Sequence, residues 1–139
     1  MYFGIMEMNI EIDQINGSVF KASNKNGSEQ IIDGSAQKGL RPMESLLNAV
    51  ASCAALDILH ILKKQRQDLR NLKIDVSGVR PDTGEPKPFE KIRMNFILSG
   101  NLDKKKAERA VKLSVEKYCS VGASLKPDVD IEYAATIRS

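Results

Sequence analysis

The stretch spanning residues 42–65 constrains the chain more than any other. Leu46, Leu47, Val50, Ala51, Ala54, Ile58, Ile61 and Leu62 recur there at three- and four-residue steps, which is the repeat of an α-helix with an apolar stripe. Pro42 suits the first turn, where its missing N–H costs nothing. Lys63, Lys64 and Arg66 close the far end and complement the helix dipole. Ala49, Ala51, Ser52, Ala54 and Ala55 make the middle slim. A slim, nearly all-apolar helix packs closely on several sides, so this segment is expected to be a central buried helix. An apolar helix in so small a chain also needs partner surface to cover it, which predicts a dimer.

Strand signals lie on both sides of the helix. Residues 5–12 alternate as a half-buried strand does. Asn16-Gly17 marks a hairpin, and 18–22 resumes as strand. A second turn at Asn24-Lys25-Asn26-Gly27 precedes a short strand at 30–33. Residues 34–41, small and polar with two Gly, read as loop. Beyond the helix, 72–79 and 89–98 alternate apolar and polar residues about a turn-rich stretch, predicting a long hairpin. Asp103 is placed to cap a helix over 104–117. After Cys119 come a Gly-containing break and a helical turn, and 129–136 is a last strand. The order β-β-β-α-β-β-α-β is that of an α+β protein, with antiparallel pairing expected throughout.

A length of 139 residues predicts one domain over 1–139, able to fold without disulfides or metal. The 21 Lys and Arg are interspersed with 18 Asp and Glu. That balance, with no Trp and only three Tyr and four Phe, argues against nucleic acid as a partner. The runs Lys63-Lys64-Gln65-Arg66 and Lys104-Lys105-Lys106 read as solvated helix ends. Residues 1–10 lack a basic start and contain Glu7, so no secretory signal is read there. No run is read as approaching membrane-spanning length. A cytoplasmic location is therefore expected. In that reducing setting thiols are catalytic or inert more often than cross-linked. One His and two Cys are too few for a structural zinc site, and neither metal nor cofactor is expected.

Cys53 lies in the slim part of the helix, and Cys119 follows the second helical run. On residue type alone each could be a small buried hydrophobe, or the two could be the attacking and resolving thiols of a peroxidase. Asp57 and His60 follow Cys53 at one-turn steps. His60 is seven residues on, about 10 Å of helix rise, too far for a direct bond to Cys53. It reads as structural, and Asp57 as a buried or interface polar group, one able to cap a neighbouring helix. Tyr118 reads as packing and Gly122 as a backbone requirement. Met6, Met8, Met43 and Met94 read as core filler.

The element order, together with Arg41-Pro42-Met43-Glu44-Ser45-Leu46-Leu47 leading to Ala51-Ser52-Cys53-Ala54-Ala55-Leu56-Asp57, resembles the OsmC/Ohr superfamily of osmotically inducible and organic hydroperoxide resistance proteins. Tyr118-Cys119-Ser120-Val121, 66 residues after the first cysteine, is similar to the superfamily's second-cysteine segment. The resemblance implies an OsmC-like fold in an intertwined homodimer, with antiparallel sheets wrapped around central helices and a site at the subunit boundary. It further implies thiol-dependent reduction of an organic hydroperoxide, with Cys53 attacking, Cys119 resolving and an external dithiol as reductant. Such chemistry needs a thiolate. It gives a sulfenic acid that the second thiol converts to a disulfide, provided the two Cα atoms come within about 7 Å.

The chain departs from the pattern of strongly active members, in which an Arg from the N-terminal β region and a Glu ten positions before the cysteine assist the thiolate. Met43 stands ten before Cys53, and no Arg precedes Arg41. Glu44, nine before, is the third candidate catalytic residue, and as a first-turn acid it also suits the helix dipole. The alternative reading is a non-catalytic dimer that binds an apolar ligand or senses oxidants through the same thiols.

Overall fold

The computed structural model describes Gly4 and residues 6–139; of the expected first strand, residue 5 lies outside the described part, as do residues 1–3 of the N-terminal stretch. The elements are β1 (Ile10–Asn16), β2 (Val19–Asn24), β3 (Glu29–Asp33), α1 (Pro42–Lys64), β4 (Asp68–Val79), β5 (Lys91–Asn101), α2 (Lys104–Leu113), α3 (Ser120–Ala123) and β6 (Asp130–Arg138). A π-helical turn, Ser114–Tyr118, links α2 to α3. The chain is α+β, as expected. It forms two compact units, one up to Leu46 and the other from Leu47 to Ser139.

In the N-terminal unit β1, β2 and β3 form an antiparallel meander. Gly17 supplies the positive φ of the first turn, at 52°. In the second, the Asn24 side chain accepts the N–H groups of Asn26 and Ser28, each at 3.0 Å. β1 begins later than the apolar alternation suggested. Ile10 pairs with Asn24, the last residue of β2, so residues 6–9 have no strand opposite them. Met6 and Met8 are correspondingly 84% and 85% exposed, not core filler, whereas Met94 is buried.

Asp33 ends β3 and organises the following loop. Its carboxylate accepts the Ser18 hydroxyl at 2.6 Å, the Ser35 N–H and hydroxyl at 2.9 and 2.8 Å, and the Lys38 N–H at 3.0 Å. A buried carboxylate persists only when its lone pairs are occupied in this way. These donors, the Ser18 hydroxyl foremost, hold its pKa well below the usual carboxylate range.

In the C-terminal unit β4–β5–β6 form a second sheet. β5 alternates strictly, with Ile92, Met94, Phe96 and Leu98 buried on one face, as a half-covered strand must. These residues, with Val50, Ala51, Ala54, Ile58 and Leu62 of α1 and Ala107, Ala110 and Val111 of α2, supply the core of this unit. Asp103 caps α2 as expected, accepting the Lys106 N–H at 3.1 Å.

Four expectations are corrected here. The sheet is mixed: β4 pairs antiparallel with β5, but β6 pairs parallel to β5 along its length. The helical segment between them returns the chain to the same end of the sheet, and a parallel neighbour requires such a crossover. The second helix does not run uniformly through 104–117, because its last turn widens at Ser114–Tyr118. α1 is not buried all round: Leu56 is 68% and Leu59 45% exposed. Finally, α1 is by length and composition alone sufficient to cross a membrane, with 23 residues and a mean hydropathy of 1.7 over its most apolar window. Its buried stripe makes it a core helix of the C-terminal unit.

β4 and β5 also extend beyond the alternating segments, as far as the Asp68–Asn101 pair, across a bulge between Leu69 and Asn71. Gly100 sits opposite that bulge with φ 146°. A Cβ there would collide with the Asp68 carbonyl. Gly100→Ala is expected to cost about 1–3 kcal/mol, the range for a non-Gly residue held in a glycine-only region. The check is a lower urea midpoint at unchanged slope.

A second expectation concerns Asp33. Because its folded-state pKa is depressed, its contribution is fully present above the unfolded value near 4 and is lost as pH falls below it. The Lys38 amide should lose hydrogen-exchange protection, relative to β4 and β5 amides, as pH drops through 4 toward 2. Asp33→Asn should show the loss at neutral pH.

Candidate active site: two thiols in the C-terminal unit

Cys53 and Cys119 are brought together by different local structures. Cys53 is a half-buried residue of α1, flanked by the buried Val50, Ala51 and Ala54. Because Ala51, Ala54 and Ala55 carry single methyl groups, this part of the helix admits another element close to its backbone. Cys119 is that visitor. Its Sγ lies 3.7 Å from the Val50 carbonyl oxygen, to which the thiol donates. Cys53 is near enough to raise the pKa of that thiol. Both are free thiols.

Cys119 is held in place by the segment around it. The π-helical turn ends at Tyr118, and Cys119 itself is extended, with φ −70° and ψ 102°. α3 starts at the next residue, so the break expected after Cys119 is absent and Gly122 belongs to the helical turn. The Gly122 N–H donates to the Cys119 sulfur at 3.3 Å. A π-turn adds a residue to one helical turn, which reorients whatever follows; here it delivers a cysteine. Tyr133 of β6 anchors the same turn by donating its hydroxyl to the Glu116 carboxylate. That carboxylate and burial push the Tyr133 pKa up to about 12, burial being the larger cause.

Burial is the largest influence on Cys119 and pushes its thiol up. The Gly122 and Val121 N–H groups partly offset this, while Cys53 adds to the upward push by hydrogen bonding and by charge. The physical reason is that two thiolates cannot share one apolar site, so the more enclosed sulfur keeps its proton. At 7% exposure Cys119 is that sulfur.

The remaining candidates are placed as follows. Glu44 belongs to the N-terminal unit, and its carboxylate accepts the Arg41 N–H at 2.9 Å. That is the reach-back half of a capping box at the start of α1. One carboxylate oxygen of Asp57 is buried without a hydrogen-bond partner among the described residues. His60 is exposed. Tyr118 is 47% exposed, and the Lys117 ammonium lies 5.4 Å from its ring centroid, so it is not a packed residue. A groove of about 440 Å³ on the C-terminal sheet, lined by Asp75, Ser77, Arg93, Asn95 and Glu132 among others, includes neither cysteine.

Residue-type reasoning missed the backbone groups that complete the site: the Val50 carbonyl and the N–H group of Gly122. A usable signal was present in Cys119-Ser120-Val121-Gly122, a polar side chain three residues ahead of a backbone donor, as in an N-cap.

Comparison with known proteins agrees with this architecture. The Escherichia coli protein YhfA is 34% identical over 129 residues, covering 91% of this chain and 96% of its own. A hypothetical protein from Aquifex aeolicus superposes with a TM-score of 0.86 at 34% identity, over 97% of this chain and 99% of that one. An organic hydroperoxide resistance protein, OsmC, from Legionella pneumophila shares the fold at a TM-score of 0.69 and 15% identity, over 96% of this chain and 99% of that one. The family model described as OsmC-like protein matches residues 34–134. The chain therefore belongs to the OsmC-like family.

Proposed function

We propose that the protein reduces organic hydroperoxides with Cys53 as the attacking thiol and Cys119 as the resolving one. The observation that carries this is the asymmetry of the pair. Cys119 is enclosed, its thiol donating to the Val50 carbonyl, beside the more open Cys53. The thiolate is the form that attacks peroxide. The Cys53 sulfur takes the terminal peroxide oxygen, the O–O bond breaks, and the alkoxide leaves as alcohol with one proton. Cys119 then attacks the sulfenic acid, forming the disulfide and releasing water. An external dithiol restores both thiols. The small apolar side chains around Cys53 suit a substrate with an organic tail. We assign Glu44 to holding the entry of α1 through Arg41, and a catalytic part for it would require release of that bond.

After stoichiometric cumene hydroperoxide, peptide mass spectrometry should find a Cys53–Cys119 disulfide, and Cys119→Ser should stop at a Cys53 sulfenic acid. Absence of both products sinks the proposal. The non-catalytic reading draws on the absence of any Arg before Arg41 and on the engagement of Glu44 by the backbone. Sustained peroxide consumption with dithiothreitol at micromolar protein excludes it.

We further propose that the exposed apolar side of α1, with Leu56 and Leu59, is covered by a second copy of the chain. Light scattering should give about twice the 15.4 kDa chain mass. Leu56→Lys, which puts a charge on that side, should shift the mass to that of one chain. A monomeric mass for the unmodified protein counts against the pairing.

A further inference from the structure

The two basic runs that read as solvated helix ends, Lys63-Lys64-Gln65-Arg66 and Lys104-Lys105-Lys106, are brought to one end of the C-terminal unit. The start of β4 and the end of β5 are joined there by the Asp68–Asn101 pair. The Gln67 side chain accepts the Asp103 N–H at 2.7 Å, which ties the end of α1 to the start of α2. Lys63, Lys64, Arg66, Lys104, Lys105 and Lys106 are all exposed, and none forms an ion pair among the described residues. The acids nearest in the chain are otherwise engaged. Asp68 pairs with Arg70 at 3.4 Å, and the Asp103 carboxylate accepts the Lys106 N–H. These six charges are twice the chain's formal net of +3, so the rest of the chain is on balance negative.

At two of these places local preference runs against the residue present. Lys104, Lys105 and Lys106 fill the first turn of α2, which has no acid, and the positive end of a helix dipole disfavours cations there. Arg66 follows α1 with φ 56°, and the Gln67 N–H reaches back to the Leu62 carbonyl at 2.9 Å. That is a Schellman ending, whose left-handed position is ordinarily a glycine's. Local preferences overridden in favour of one sign of charge point to a function outside the fold. No Phe, Tyr or Trp lies in 60–70 or 99–110, so there is no platform for stacked bases. No large apolar residue is exposed in either segment, so nothing there inserts into a bilayer.

We propose that this end docks the protein on an anionic lipid surface by charge alone, with headgroup phosphates over the six cations. The choice of lipid rests on the hydroperoxide reading given above, because an apolar hydroperoxide partitions into a bilayer; the charged end itself does not rest on it. Each Lys or Arg near an anionic leaflet strengthens binding roughly fivefold. Lys63 lies about 15 Å of helix rise from Cys53, so variants at this end leave the thiols untouched.

Sedimentation with vesicles tests this without peroxide, so failure of docking and failure of the peroxidase reading are distinguishable. Vesicles of phosphatidylcholine with about one third phosphatidylserine should retain at least tenfold more protein than phosphatidylcholine alone at low ionic strength, and the difference should vanish at about 0.5 M salt, where screening shortens to a few ångströms. The variant Lys104→Glu/Lys105→Glu/Lys106→Glu should lose that retention while melting at the same or a higher temperature, because acids suit the first turn of α2. Arg66→Gly should weaken retention about fivefold with no loss of stability. Lys105→Glu alone should reduce it about twentyfold, whereas Lys25→Glu, at an exposed lysine of the β2–β3 turn, makes the same change in net charge and should leave it unchanged. Equal retention by neutral vesicles, full retention of the triple variant, or an equal loss in Lys25→Glu and Lys105→Glu overturns the proposal. Tighter binding to a short DNA duplex than to the anionic vesicles at the same salt overturns the choice of lipid.

Discussion

A thiol can lie against the backbone of a helix only where the helix has almost no side chains in the way. The contact of Cys119 with the Val50 carbonyl is of that kind, and the site depends on it. Ala51, Ala54 and Ala55 keep α1 thin where Cys53 lies. Bulkier residues there would separate the sulfurs by a side-chain layer, well beyond the few ångströms a disulfide tolerates. A sulfur hydrogen bond is weak on its own. The approach is held by the surrounding core, in which Val50, Ala54, Ala107, Ala110 and Val111 are all buried.

The second half of the contact comes from the far end of the C-terminal unit. α2 is fixed by the Asp103 cap, and the π-turn then redirects the chain into α3 so that the Cys119 sulfur meets the Gly122 N–H. Enclosure and hydrogen bonding act on this sulfur in opposite directions. Burial disfavours the thiolate; the backbone donors favour it. Burial prevails in the reduced pair, and the donors remain available whenever charge arrives.

The sequence revealed the elements most clearly where apolar spacing was strong. The α1 stripe and the β5 alternation were legible because each side chain reports its own burial, and the cap at Asp103 because it is local chemistry. The edges of strands were not legible. β1 starts at Ile10 only because β2 ends at Asn24, and the extension of β4 to Asp68 depends on Asn101 opposite. The direction of β6 was likewise hidden, since alternation is the same in parallel and antiparallel strands. The exposure of Leu56 and Leu59 was hidden because an apolar residue reads alike wherever its cover comes from.

For the site, residue identity and helical spacing were enough to select Cys53, Cys119 and Glu44 as candidates, and family resemblance gave the thiols their roles as an expectation. These are properties of side chains and of neighbours along the chain. Which sulfur is enclosed, which carbonyl and N–H groups surround it, and that Glu44 binds the Arg41 N–H were decided by tertiary structure. The reason is physical. Backbone donors and acceptors are the same in every residue, so their use in a site is set by where the fold carries them and leaves no mark in the composition.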